Sequence, residues 1–152
     1  LMGQYLGAGS VEGARAAVRL CWLWGAGLMS LMGVVFLVFP EWLAWALAPG
    51  PEMAEVRAMA VPLLRICGPI QVFFATYLVL SHALRGAGDT RGPMVITYAS
   101  TFLVRLPAAY VLALPMGFGL TGLWFGLCGE LIVRGLLYVR RFRAERWAEI
   151  EV

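Results

Sequence analysis

Long runs without an ionised side chain decide most of what this chain can become. Residues 20–40, between Arg19 and Glu41, hold no Asp, Glu, Lys or Arg, and neither do residues 66–84, between Arg65 and Arg85. A third apolar segment runs from Pro93 to Pro115 and is interrupted only by Arg105. A fourth, from Leu120 to Val139, is interrupted by Glu130 and Arg134. A helix needs about 20 mostly apolar residues to cross a bilayer. The spacing therefore predicts an all-α, polytopic transmembrane bundle of four helices, at about 15–39, 52–84, 93–114 and 119–142. Ser10 can cap the first, with Glu12 in its first turn. Pro51 suits the first position of the second helix, with Glu52 and Glu55 near its positive end, and Pro62 and Pro69 should kink it.

Composition narrows the function classes. Hydrophobic residues make up 61% of the chain and charged ones 14%, against roughly 45–50% and 25% in soluble domains. Such a chain lacks the polar surface to cover a globule in water, which excludes an ordinary soluble enzyme and a disordered chain. The net charge is +3 and every basic residue is arginine. These arginines are scattered between apolar runs, with no basic groove interleaved with stacking aromatics, so a nucleic-acid partner is not expected. Cys21, Cys67 and Cys128 lie singly in apolar runs and form neither a disulfide framework nor a metal set. No nucleophile–base pair, HExxH or phosphate loop is present. His82 and Asp89 are the nearest acid–base couple, and both fall at a membrane-surface turn. Enzyme activity, a cofactor and a metal are not expected.

Loop charges orient the helices. Arg15 and Arg19, Arg85 and Arg91, and Arg140, Arg141, Arg143 and Arg146 lie on one side, and Arg57 and Arg65 lie on the other with Glu41, Glu52 and Glu55. The first side is expected to be the cytoplasm, which places a multi-pass protein in the cell (inner) membrane with its C-terminus inside. Trp42 and Trp45, on a short flat helix at 41–48, would form an outer interfacial belt, and Trp147 an inner one. Residues 85–93 read as a tight glycine-rich cytoplasmic turn and 114–119 as a short outer one. The organisation is then a cytoplasmic loop at 1–14 ending a truncated preceding helix, a four-helix part at 15–142 and a cytoplasmic tail at 143–152. The first residue is Leu1, not Met, which reads as part of a longer protein.

Ionisable groups inside a membrane span cost about 2.5–3.5 kcal/mol on insertion scales and need partners. Arg65 falls about 30 Å along its helix from Arg85, at the outer boundary. Arg105 lies about 18 Å from the cytoplasmic end of its helix and Glu130 about 15 Å from that of the next, so the two share a depth. Glu130 and Arg134 are also i, i+4. The expectation is an Arg105–Glu130–Arg134 cluster facing protein or a water-filled cavity. It would act either as an ion pair pinning two helices or as a proton- or cation-linked site. Gln71, Phe74 and Tyr77 on the second helix are the substrate-cavity candidates, with interhelical hydrogen bonding as the plainer role of the polar pair. Gly122 and Gly126 form a GxxxG pair, extended by Gly129, for close helix approach.

Four ordered motifs carry a resemblance. Residues 3–9 read GQYLGAG, 83–94 read ALRGAGDTRGPM, 105–110 read RLPAAY, and the end holds Arg141-Phe142-Arg143 and Arg146-Trp147. In this order and spacing they resemble the C-terminal part of the MATE family, the multidrug and toxic-compound extrusion transporters. The turn with Arg85, Gly86, Gly88 and Asp89 is the most specific. The resemblance implies a twelve-helix, two-lobe antiporter that expels organic, often cationic, compounds in exchange for H⁺ or Na⁺ by alternating access. The chain would supply the end of helix eight and helices nine to twelve. Its partners would be the bilayer, the missing N-terminal lobe and small organic cations or drugs. Some members carry an acid in the middle of helix ten, and Ile70 to Leu80 has none, so no coupling site carries over. The rivals are a lipid-linked oligosaccharide flippase of the same broad fold, expected to gather several cavity cations, and a non-transporting membrane scaffold subunit.

Overall fold

A computed structural model describes residues 2–149, leaving out the side chains of Arg146 and Glu149. Ile150 to Val152, the end of the expected tail, and Leu1 lie outside the described residues. Every regular element described is helical. A short helix, α1 (Met2–Gly7), ends at Gly9, whose φ of +72° is a conformation that glycine adopts without strain. Ser10 then opens α2 (Val11–Val38) by accepting a hydrogen bond from the Gly13 amide at 3.2 Å, with Glu12 beside the positive helix end. This cap starts the first span four residues before the expected 15.

Pro40 ends the run. Its missing N–H suits the start of a new helix, and α3 (Pro40–Leu47) follows as a separate element with Trp42 and Trp45 exposed. After Gly50 a single 3₁₀ turn (Pro51–Met53) leads into α4 (Ala54–Gly86), which stays helical through Pro62 and Pro69. The 36 residues from Pro51 to Gly86 reach about 54 Å, well beyond a hydrocarbon core of roughly 30 Å. The third span is composite: α5 (Arg91–Ala99), a π-helical segment (Ser100–Arg105) and α6 (Leu106–Ala113). A turn through Gly117 and Gly119 returns the chain into α7 (Gly119–Arg143). A 3₁₀ turn (Arg146–Glu149) follows.

The π segment was not foreseen, but its cause lies in the sequence. Pro107 removes the amide that would bond to the Leu103 carbonyl, and its ring crowds that carbonyl. Ser100 Oγ also donates back to the Thr97 carbonyl at 3.2 Å. Widening to i→i+5 bonding just before the proline accommodates both.

α4 is the central rod, with α2 packed on one flank and α7 on another, and α7 also packs along the third span. Glycines set the approach. A Cβ on Gly33 would lie 2.5 Å from the Gly68 carbonyl oxygen, so α2 and α4 touch backbone to backbone. Gly122 and Gly126 do the same for α7, facing Leu112 and Ala109, whereas the expected extension at Gly129 faces open space.

Large apolar side chains point outward along much of each span. Trp24, Leu28, Leu103 and Leu114 are each more than 60% exposed. All four spans are long and apolar enough to cross a bilayer, and at most a third of each span's apolar window is buried within the bundle. Water is a poor solvent for such a surface, and hydrocarbon a good one.

Candidate functional site

Three buried polar residues, Ser100, Glu130 and Arg134, gather where α7 meets the π segment, beside Tyr77 of α4. Glu130 is 1% exposed and Arg134 7%. They sit one turn apart on α7, so the Arg134 Nε–H donates to Glu130 Oε1 at 2.5 Å within a single helix. The same Nε lies 3.0 Å from Ser100 Oγ, and Arg134 Nη2 donates to Thr101 Oγ1 at 2.8 Å. The guanidinium carbon stands 5.0 Å from the centroid of the Tyr77 ring on α4. One cation is thus held by a carboxylate, two hydroxyls and an aromatic face.

The network continues toward the glycine-rich turn at residues 85–93. Tyr77 packs on Tyr138, with centroids 5.7 Å apart. The Tyr138 hydroxyl donates to the Pro93 carbonyl at 3.0 Å, and Thr97 Oγ1 lies 3.1 Å from the same hydroxyl. Tyr138 has one proton to give, so Thr97 is the donor in that second bond. Chemically this is a neutral ion pair on a ladder of hydroxyls between α7 and the third span. Glu130 Oε2 is the exception: it is buried and has no hydrogen-bond partner among the described residues.

Arg105 does not join the network. Gly126 opposes Ala109, so in an antiparallel pair Glu130 is level with Arg105 and Arg134 with Thr101. The depth argument therefore holds, yet Arg105 is half-buried and takes part in no ion pair among the described residues. The i, i+4 partner reaches the carboxylate from the same helix, and Ser100 and Thr101 hold it there. The triad becomes a pair.

The cavity candidates separate as well. Gln71 packs beside Gly33 of α2, because a Cβ on that glycine would lie 3.4 Å from Gln71 Cγ. Phe74 stacks obliquely on Tyr77 at 6.1 Å, and Tyr77 faces Arg134 and Tyr138. Gln71 and Tyr77 thus look toward different neighbours among the described residues.

The turn at residues 85–93 is a built structure. Asp89 is 4% exposed. Its Oδ1 accepts from the Gly92 amide at 3.0 Å and its Oδ2 from Arg141 Nε at 2.9 Å. Asp89 therefore caps α5 and ties the turn to the end of α7. Gly88 takes the left-handed bend at φ +85°, the Gly86 carbonyl packs where a Cβ on Gly3 of α1 would stand, and Arg85 is exposed. His82 is exposed and is not Asp89's partner. Trp147 is buried rather than interfacial: its indole donates to the Phe142 carbonyl at 2.8 Å and stacks on Phe142 at 5.2 Å. On the opposite side, Arg57 donates to the Ala48 and Gly50 carbonyls, each at 2.6 Å, and Arg65 pairs with Glu41 at 2.7 Å.

The family model MatE matches residues 1–111. The chain belongs to the MatE family. Relatives agree with that membership. A "Probable multidrug resistance protein NorM" of Thermotoga maritima is 32% identical over 147 residues, 97% of this chain and 31% of that protein. One of the same name from Pseudomonas aeruginosa is 37% identical over 132 residues, 86% of this chain and 27% of that protein. An "Uncharacterized transporter YisQ" of Bacillus subtilis is 26% identical over 149 residues, 98% of this chain and 32% of that protein. The chain spans about a third of the length of the curated relatives it matches. Within this MatE chain, sequence reasoning missed Asp89–Arg141 and Tyr138. The signals were there: a lone acid in a glycine turn opposite an arginine-rich helix end, and a tyrosine one turn beyond Arg134.

Proposed function

We propose that this chain forms part of a secondary active multidrug efflux antiporter that expels organic, often cationic, compounds in exchange for H⁺ or Na⁺. The observation that carries the reading is the match of nearly the whole chain to multidrug resistance proteins, on a bundle whose outer surface is apolar. Rocking of one lobe against the other would alternate access to a midplane site, with the N-terminal lobe as partner. The protein would sit in the inner membrane with its C-terminus in the cytoplasm. A flippase for lipid-linked pyrophosphates would need several free cavity cations. Here Arg134 is neutralised by Glu130, which disfavours that rival. Cells carrying the complete gene should accumulate less of a fluorescent organic cation such as ethidium than cells lacking it. Dissipating the H⁺ or the Na⁺ gradient should abolish the difference for one ion only. Equal accumulation with and without the gene would end the efflux reading.

Within this reading the Glu130–Arg134 pair pins α7 to the third span. The unpartnered Oε2 favours a second reading, in which Glu130 also takes up the coupling ion. Glu130→Gln separates the two. Transport retained in a poorly folding variant would leave only the pin, and transport lost with folding intact would make Glu130 a coupling group.

A further inference from the structure

α2, α4 and the end of α7 bound a cleft of about 750 Å³, apart from the Glu130–Arg134 network. Its walls include Trp22, Leu80 and Phe142, and Arg15, Arg19 and Arg143 line it as well. These arginines come from the first part of α2 and the last residue of α7, the end of the bundle that carries the arginine excess. Trp22 Nε1 donates to Thr76 Oγ1 at 2.9 Å, so its polar edge is satisfied internally and its ring is left as apolar wall. Arg15 Nη2 meets Glu145 Oε2 at 2.6 Å, a clasp from α2 to the residue just past α7. Arg19 and Arg143 are exposed and form no ion pair among the described residues.

We propose that this cleft binds an anionic phospholipid of the cytoplasmic leaflet, with its phosphodiester between Arg19 and Arg143 and an acyl chain along Trp22, Leu80 and Phe142. Charge complementarity selects the occupant. Glu145 neutralises Arg15, which leaves Arg19 and Arg143 as the lining arginines without an ion pair among the described residues. Planar guanidinium forks match phosphate oxygens bidentately. Basic pockets between membrane helices at the cytoplasmic side suit anionic head groups. A free phosphate ion would leave the apolar walls unused, and a neutral lipid would leave the two cations unpaired. The inference rests on the orientation proposed above but not on efflux itself.

The test is native mass spectrometry of the protein made from its complete coding sequence, purified in detergent and offered equal phosphatidylglycerol and phosphatidylcholine. Two arginines near the head group correspond to a preference of about thirtyfold for phosphatidylglycerol. The double variant Arg19→Gln/Arg143→Gln should bring it close to unity with helical circular dichroism unchanged. Arg91→Gln, at the start of α5 and outside the cleft, should keep it. If the double variant misfolds, Arg143→Gln alone, in the exposed last turn, should cost about fivefold. No preference in the parent protein overturns the proposal, as does an Arg91→Gln variant that loses as much as the cleft variants. The first result is also expected if another helix of the protein fills the cleft.

Discussion

Removing Arg134 should damage the bundle far more than removing its partner. In Arg134→Met the apolar stem is kept, but the Glu130 carboxylate, 1% exposed, loses the guanidinium at Oε1 while Oε2 already lacks a partner. Stranding one member of a buried pair costs about 3–5 kcal/mol. Losing the Ser100 and Thr101 contacts adds about 0.6 kcal/mol each by the average for hydrogen bonds between membrane helices. Glu130→Gln is milder, because the remaining cation keeps two hydroxyls and the Tyr77 ring. A cost of about 1–3 kcal/mol is expected, the usual range for an imperfectly satisfied buried group. The double variant carries no ionised group at either position and should be no less stable than Arg134→Met alone. Reversible unfolding in mixed micelles, followed by far-ultraviolet circular dichroism, gives all three values. The cycle should yield a coupling at least as large as the Glu130→Gln cost, about 1–3 kcal/mol. Equal costs for the two single variants, or a double variant equal to their sum, would refute the reasoning.

Other substitutions probe the remaining features. Gly33→Ala places a methyl against the Gly68 carbonyl and should destabilise by about 1–3 kcal/mol, whereas Gly129→Ala meets open space and should be neutral or slightly stabilising in the same unfolding assay. Asp89→Ala removes both the α5 cap and the tie to Arg141. It should cost about 1–2 kcal/mol and raise hydrogen exchange across residues 85–93, and Asp89→Asn, which can still cap, should recover most of the cap. Glu41→Gln breaks only an exposed pair with Arg65 and should change stability by less than about 1 kcal/mol.

The spans were legible because hydrocarbon imposes a length and a polarity that charge spacing reveals directly. The Ser10 cap and the Glu130–Arg134 pair were legible for a similar reason: both are local, settled within one helical turn. Gln71 and Tyr77 show where a local rule was available and unused. Six residues at about 100° each leave them roughly 120° apart around α4, which is what their separate neighbours reflect. Trp147 was read from its residue type alone. Its fate was decided by the Phe142 ring and carbonyl five residues earlier, once the chain turned back after α7.

Arg105 is the instructive miss, because its depth was right and its pairing was not. Depth along a helix follows from counting, and the antiparallel register of α6 and α7 preserves it. Which cation takes the carboxylate is a competition between partners at the same depth. Arg134 starts one turn away on the same rigid helix, so it gives up little side-chain freedom to reach Oε1. Ser100 then shares its Nε–H, and Thr101 accepts from Nη2. Those two hydroxyls sit in the π segment that Pro107 provokes, so a proline two residues past Arg105 helps to arm the competitor of Arg105. Replacing Pro107 would let the segment rewind to α-helical bonding. The expected change is a weakened grip of Ser100 and Thr101 on Arg134, rather than a local gain in stability from the restored amide.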